Sequence, residues 1–257
     1  MKKIFLLLMI ALFVTGCVAS GKTPKLVVGV DDEFAPMAFR DEQGKLVGFD
    51  IDLAKEVARR MGVDVEFKPI LWDNKREEIT SGNVDIIWNG LDITDESRDY
   101  MIFSKPYMDN RQILLVKHGN PLGIHSDSEI AGKVVGTQAG SNSAEYINAT
   151  PSLKDSFAGF KTYRSVKTAF EDLSLGGADV LIVDEIAARY EIAAHPGKFE
   201  AVEATIGPVT KIGIGFRKDD TELRDRVQKV FDDMVEDGTA KKISEQWFQA
   251  DLIKLKR

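Results

Sequence analysis

The sequence has one cysteine, three histidines and, after its first residues, no long hydrophobic run. Each scarcity excludes something. A lone cysteine, Cys17, allows no disulfide within the chain, so the fold rests on its own core. His118, His125 and His195 fall in no HExxH or comparable metal spacing, and neither a Gly-x-Ser-x-Gly elbow nor a phosphate-binding loop is present. No metal ion, cofactor or catalytic residue is therefore expected. No later stretch reaches the ~20 apolar residues that a membrane-spanning helix needs. Positive charge is short too: 34 Lys and Arg stand against 41 Asp and Glu, a formal charge of −7, with both signs spread along the chain. Nucleic acid, which requires concentrated positive charge, is not an expected partner.

The chain begins with Lys2 and Lys3, continues through an apolar run from Ile4 to Val14, and reaches Thr15-Gly16-Cys17. A basic start, a short apolar stretch and small residues at the cut describe a secretory signal over residues 1–16. Val14-Thr15-Gly16-Cys17 also resembles the bacterial lipobox, in which the cysteine is lipidated and becomes the new N-terminus. Acyl chains on Cys17, ahead of a tether over 17–24, would hold a soluble body at a bacterial membrane surface, outside the cytoplasm. The plainer alternative is a stray thiol within a conventional signal. Cleavage leaves 241 of the 257 residues and removes two lysines, so the body carries about −9 and is long enough for two domains.

That body alternates strand and helix patterns. Leu26 to Val30 is a β-branched run that reads as a buried strand. Ile51, Leu53, Ala54, Val57, Ala58 and Met61 recur at helical spacing between Phe49 and Gly62. Val63 to Phe67 alternates as a strand does, Asp73 to Ser81 predicts a helix, and Val84 to Trp88 a strand. The pattern then restarts, with strands at Lys133–Gly136, Phe160–Tyr163 and Ala178–Val183 and helices from Ser143, Val166 and Asp184. Such alternation implies βαβ crossovers and mainly parallel sheets. Two extended runs, Gln112–Lys117 and Lys211–Phe216, bracket the second half, and helices follow over Asp220–Glu236 and Thr239–Phe248. The expected fold is α/β with two lobes, 25–115 plus 210–257 and 116–209, joined by two hinge crossovers. Ligands of open α/β sheets bind beyond the carboxyl ends of the strands, so both lobes would offer loops to a shared cleft.

Ordered motifs run through nearly all of this body. They include Val28 to Phe39, Gly48-Phe-Asp-Ile-Asp-Leu-Ala54, Ser81 to Asp85, Gly90 to Thr94 and Phe103-Ser-Lys-Pro-Tyr107. Gly132-Lys-Val-Val-Gly136, Ala178 to Ala187, and Asp237-Gly-Thr-Ala240 with Trp247-Phe248 follow. In that order and spacing the chain resembles the family 3 extracellular solute-binding proteins, the amino-acid receptors of ABC importers, which have the two-lobed type II periplasmic-binding-protein fold. The resemblance implies a monomer that closes about its hinge on a free amino acid and delivers it to a membrane permease. A zwitterion needs a fixed anion for its ammonium, donors for its carboxylate and a shaped wall for its side chain. Asp184, after the apolar strand Val180 to Val183, matches the family's ammonium-binding aspartate, although a helix N-cap asks for the same residue type. Ser141 and Asn142 match the carboxylate clasp at a helix N-terminus, or are a plain capped start. Gly90, Asp92 and Thr94 match the loop that reaches the ligand's backbone atoms. Asp31 and Phe34 match a polar anchor and an aromatic plate, Trp72 a second aromatic opposite, and Gln138 a secondary contact. Without the resemblance, Phe34 and Trp72 read equally well as core and Asp31 as a turn residue. A cationic side chain between the aromatics would gain ~0.5–2 kcal/mol.

Two positions depart from the family pattern. The family's carboxylate-gripping arginine lies six residues before Phe103, where this chain has Ser97; Arg98 is one place late, a rotation of about 100° on a helix. Either the turn adjusts and Arg98 serves, which is the expectation, or another donor replaces it. Asp92 stands where the family often has Thr or Ser, and an added carboxylate is unfavourable to bury without positive charge. Asp31, Asp92 and Asp184 together point to a cationic or strongly polar amino acid. The competing reading is a cleft enzyme of the same fold, such as a dehydratase acting on a small carboxylic acid, with Glu33 or Glu185 as its acid. Arg111, in the first crossover, reads as a solvated residue. A sensing module is a third class, and the membrane span and signalling domain it would usually carry are not found in the sequence.

Overall fold

A computed structural model describes residues 24–255. The signal over 1–16, the lipidation at Cys17 and the tether as far as residue 23 lie outside those residues. The first lobe is built on β1 (Lys25–Val30), which buries Leu26, Val28 and Val30. A small antiparallel sheet follows, made of β2 (Glu33–Phe34), β3 (Ala38–Arg40) and β4 (Leu46–Val47). Strands this short leave no periodicity to read in the sequence. The helix α1 (Phe49–Met61) buries Ile51, Leu53, Ala54, Val57 and Ala58 and stops at Gly62, whose φ of 68° only glycine adopts without strain. Next, β5 (Asp64–Pro69) pairs parallel with β1, from Asp64 opposite Lys25 to Pro69 opposite Val30. The helix predicted over 73–81 forms as a 3-10 turn at Trp72–Asn74 followed by α2 (Lys75–Thr80). Of the predicted strand Val84–Trp88, only β6 (Ile86–Ile87) is paired. The short α3 (Asp95–Tyr100) is capped reciprocally, Thr94 and Ser97 each accepting the other's backbone N–H, and leads into β7 (Met101–Phe103).

The strand β8 (Met108–Lys117) crosses to the second lobe. There β9 (Val134–Gln138), β10 (Gly159–Tyr163), β11 (Val180–Asp184) and β12 (Phe199–Ile212) form with it a sheet ordered β10-β9-β11-β8-β12. The first three strands in that order are parallel, and β8 and β12 add antiparallel. Their direction follows from their role: as outgoing and returning crossovers they must run oppositely, and they pair from Lys117 opposite Phe199 to Met108 opposite Ile212. The helices α4 (Asn142–Ala149), α5 (Pro151–Lys154), α6 (Val166–Leu175) and α7 (Glu185–Ala194) belong to this lobe. The chain returns through β13 (Gly215–Arg217), antiparallel between β6 and β7, which completes a first sheet ordered β5-β1-β6-β13-β7. The extended run predicted over 211–216 therefore breaks between Ile212 and Gly215, its front in the crossover and its end in the first sheet. Finally α8 (Thr221–Glu236) turns Val227, Phe231 and Met234 inward against α1, and α9 (Thr239–Phe248) closes the same core.

The expected two-lobed α/β fold is thus observed. Among the described residues no helix is long and apolar enough to cross a membrane. The carboxyl ends of β1, β6, β9 and β11 lead into Asp31, the loop from Trp88 to Asp92, Gln138 and Asp184, so both sheets deliver polar groups to one cleft.

Candidate ligand-binding site

A cavity lies in the cleft between the lobes. Asp31, Phe34, Trp72, Gly90, Asp92, Thr94, Gln138, Ser141, Asn142 and Asp184 line it, with Lys75, Asn89, Leu91, Ser97, Gly140 and Glu145. Every sequence-predicted ligand residue except Arg98 is brought together here.

Asp184 ends β11 and occupies the N-cap position of α7, yet its side chain makes no capping bond. Its carboxylate instead accepts from Gln112 Nε2 at 2.7 Å and from the Asn110 amide, both on β8. The same Asn110 nitrogen donates to Asp92 Oδ1 at 3.0 Å, and Thr210 Oγ1 donates to that oxygen at 2.5 Å. One amide therefore bridges two carboxylates of opposite lobes. Burial, and next the charge of Asp184, push the Asp92 carboxyl above the usual carboxylate range. Burial raises Asp184 as well, against the Asn110 and Gln112 donors.

Asp31 has a simpler setting. It accepts the Glu33 N–H at 2.9 Å and, from the other lobe, Gln138 Nε2 at 2.6 Å; burial raises its carboxyl to about 6. Phe34 and Trp72 are buried beside it. Gly90 has φ +60°, and a Cβ there would lie 2.9 Å from Phe34 Cε1, so glycine alone lets the loop rest on the ring. The Gly90 N–H donates at 2.6 Å to Asp50, which also takes the Tyr107 hydroxyl at 2.8 Å and is raised to about 7 by burial. That buried carboxyl fixes the loop from beneath.

The lobes touch across the cleft. Lys75 Nζ on α2 donates to Gly140 O at 2.6 Å, pairs with Glu145 at 3.2 Å and stands 5.7 Å from the Trp72 ring centroid. A Cβ on Gly140 would fall 2.6 Å from Asp73 Cα, so the two backbones meet there. Ser141 does cap α4, accepting the Ala144 N–H at 3.2 Å while donating to Gln138 O at 2.7 Å. Two residues that line the cavity, Asn89 and Asn142, each hold a buried side-chain atom, Oδ1 and Nδ2 respectively, without a hydrogen-bond partner.

Residues 26–250 match the family model described as bacterial extracellular solute-binding proteins, family 3. The chain belongs to that family. It is 31% identical over 229 residues to the L-cystine-binding protein TcyJ of Escherichia coli strain K12, covering 89% of this chain and 84% of that protein. A solved ABC uptake transporter substrate-binding protein from Streptococcus pneumoniae, with bound histidine, matches with a TM-score of 0.85 at 34% identity, over 90% of this chain and 95% of that one. An ancestral arginine-binding protein bound to arginine matches with a TM-score of 0.82 at 36% identity, over 89% of this chain and 100% of that one. Family 3 membership places this chain among extracytoplasmic solute-binding proteins.

Within this family 3 fold the expectation for Arg98 is corrected. The reciprocal cap between Thr94 and Ser97 fixes the turn, so Ser97 lines the cavity and Arg98, one residue on, is exposed. Its guanidinium stands 5.8 Å from the Phe103 ring centroid, and its carbonyl accepts from Lys218. Among the described residues no arginine lines the cavity. Arg111 forks onto Glu185 at 2.6 and 2.8 Å and reaches Glu203 at 2.9 Å, away from the cavity. Sequence reasoning missed Lys75, Asn89, Glu145 and Asn110. Asn89 adjoins the singled-out Gly90 and was within reach; Asn110 gains its place only through the pairing of β8 with its neighbours.

Proposed function

We propose that this family 3 chain is an extracytoplasmic receptor that closes over a free, cationic or strongly polar amino acid and hands it to the permease of an ABC importer. Asp184 carries this reading. It is a half-buried carboxylate at a strand end, facing the cavity, that forgoes its helix cap and accepts only neutral donors. Neutral amides leave its charge uncompensated, which suits a ligand ammonium. Asp31, which lines the cavity together with Phe34 and Trp72, suits a cationic side chain. The histidine and arginine in the two matched structures support a ligand of that class. Hinge closure is supported by the two paired crossovers and by contacts made across the cleft, Asp31 to Gln138 and Lys75 to Gly140.

We further propose a signal over 1–16, lipidation at Cys17 and a monomeric body; the spacing of Val14 to Cys17 supports the anchor. The lobe limits remain as proposed from sequence at 116–209, except that the pairing of Gln112 to Leu115 with β11 supports drawing the first boundary before Gln112. A thermal-shift screen of the refolded mature protein against the free amino acids tests the receptor reading. A ligand at 100 times its Kd adds about 2.7 kcal/mol to stability. A screen in which no amino acid raises the melting temperature would sink it. The enzyme reading finds less support: neither Glu33 nor Glu185 lines the cavity, and Arg111 and then Arg189 hold Glu185 down to about 2, too low for a proton donor.

A further inference from the structure

A free amino acid held by its ammonium at Asp184 carries a carboxylate on the same carbon. That group needs a cation or free donors of its own. Arg98 lies outside the cavity, and the hydroxyls that line it are already engaged. Ser97 Oγ donates to Thr94 O at 2.9 Å, Thr94 Oγ1 to Ser97 Oγ at 3.1 Å, and Ser141 Oγ to Gln138 O at 2.7 Å. Asp184 has two neighbours towards which the carboxylate could turn. One is Asp92, a like charge that shares its Asn110 donor. The other is the first turn of α4, because Gln112 donates to Asp184 at 2.7 Å and accepts from Ser143 Oγ. The first repels an anion, and the second, a helix N-terminus, attracts it.

Lys75 stands at that turn. It is 7% exposed and, among the described residues, the one cation that lines the cavity. Its Nζ donates to Gly140 O at 2.6 Å, one residue before the Ser141 cap, and to Glu145 Oε1 at 3.2 Å. An ammonium has three hydrogens, so one remains. Burial pushes the Glu145 carboxyl up, against the lowering effect of the Lys75 charge. An amino acid's α-carboxyl is intrinsically the more acidic of the two, and so the better-ionised partner for Lys75.

We infer that Lys75, with the N-terminus of α4, receives the α-carboxylate of the ligand. This rests on the receptor reading above and names the donor at one end of its ligand. Lys75 belongs to lobe 1 and α4 to lobe 2, so the carboxylate is gripped from both sides of the cleft and the grip is assembled by closure.

Calorimetric titration of the refolded protein near pH 7 with L-arginine and L-histidine, each beside its α-amide, tests it. Should another amino acid lead the thermal-shift screen, that amino acid and its amide take their place. The parent is expected to bind the free acid at least about tenfold tighter than the amide. Lys75→Met should weaken the free acid by about tenfold and the amide by less than about threefold. A lysine that only holds the lobes together would weaken both alike, and that result overturns the proposal. Lys75→Met combined with Glu145→Gln separates contact with the ligand from mere neutralisation of Glu145. The selective loss is expected to persist in the double variant, and its disappearance overturns the proposal. Lys75→Gln, which keeps a donor but no charge, serves in the same comparison if the Met variant does not fold. A parent that binds acid and amide equally also overturns the proposal and leaves the receptor reading standing. Binding of no amino acid by the parent removes both.

Discussion

Asp31 and Asp184 hold comparable places in the two lobes, each at the carboxyl end of a buried parallel strand and each lining the cavity, yet their surroundings differ. Asp31 is a single carboxylate whose side-chain donor, Gln138, comes from the opposite lobe. Asp184 takes its donors from β8, its own neighbour in the sheet, and shares one of them with a second carboxylate. The Asp31 end is therefore assembled by closure, whereas the Asp184 end is largely built before it. The comparison teaches that strand position supplies the carboxylate, and that the partner's lobe decides whether the site depends on the hinge.

Removing the charge at the prebuilt end should have the largest effect. Asp184→Asn is expected to weaken ligand binding by about a hundredfold or more, roughly 3 kcal/mol, because a desolvated ammonium loses its anion. The ligand-free variant should melt no lower than the parent, since Asp92 loses a like-charged neighbour. Calorimetry and thermal melting check the two halves. A loss below about tenfold would show that Asp184 is not the ammonium partner.

The assembled end should respond less, and should respond to pH. Asp31→Asn is expected to weaken binding by about tenfold, since Gln138 and the aromatics remain. In the parent, burial raises Asp31 to about 6, above the value of an unfolded aspartate. Between roughly pH 4 and pH 6 the folded, ligand-free protein thus keeps a proton that the unfolded chain has released, and its stability falls as pH rises through that window. The amount is on the order of 3 kcal/mol at about 1.4 per pH unit. A cationic ligand selects the ionised carboxylate, so affinity should drop by up to about tenfold per unit below pH 6. Asp31→Asn should lower that slope by about one proton; an unchanged slope would place the titration elsewhere.

How much of this was legible beforehand differs by element. The α1 helix appears at its predicted bounds, Phe49 to Met61, because its apolar spacing is a property of the residues alone. The front of β12, from Phe199 to Thr210, was not legible: its residues alternate irregularly between buried and exposed, and its pairing with β8 shifts register twice. The site divides in the same way. Residues that end strands or follow them, such as Asp31, Gln138 and Asp184, were readable from where the strands stop. Asn110 and Lys75 were not, because one lies mid-ribbon and the other reaches Gly140 across a contact that only the packed lobes create.

Asn110 sharpens the comparison from the hinge. Asn110→Ala would leave Asp92 and Asp184 facing each other without their common donor, and is expected to destabilise the ligand-free protein by about 2 kcal/mol near pH 7. Because both carboxyls are pushed up by burial, protonation on acidification relieves the repulsion, so the deficit should shrink towards pH 5. Denaturant melts at the two pH values measure it, and an equal deficit at both would mean that Asn110 acts through backbone packing alone.

The smallest effect is expected where the sequence suggested a large one. Arg98→Ala should change ligand affinity by less than about twofold, because the exposed guanidinium lies over Phe103 and Ser97 fills the cavity position beside it. Its contact with the ring is worth about 0.5–1 kcal/mol at an exposed site, so any change should appear in the melting temperature. Parallel measurement of Kd and melting temperature separates the two roles. A tenfold loss of affinity without a fall in melting temperature would mean that the turn at 94–97 opens on binding and that Arg98 swings in, adding a second positive charge to that of Lys75.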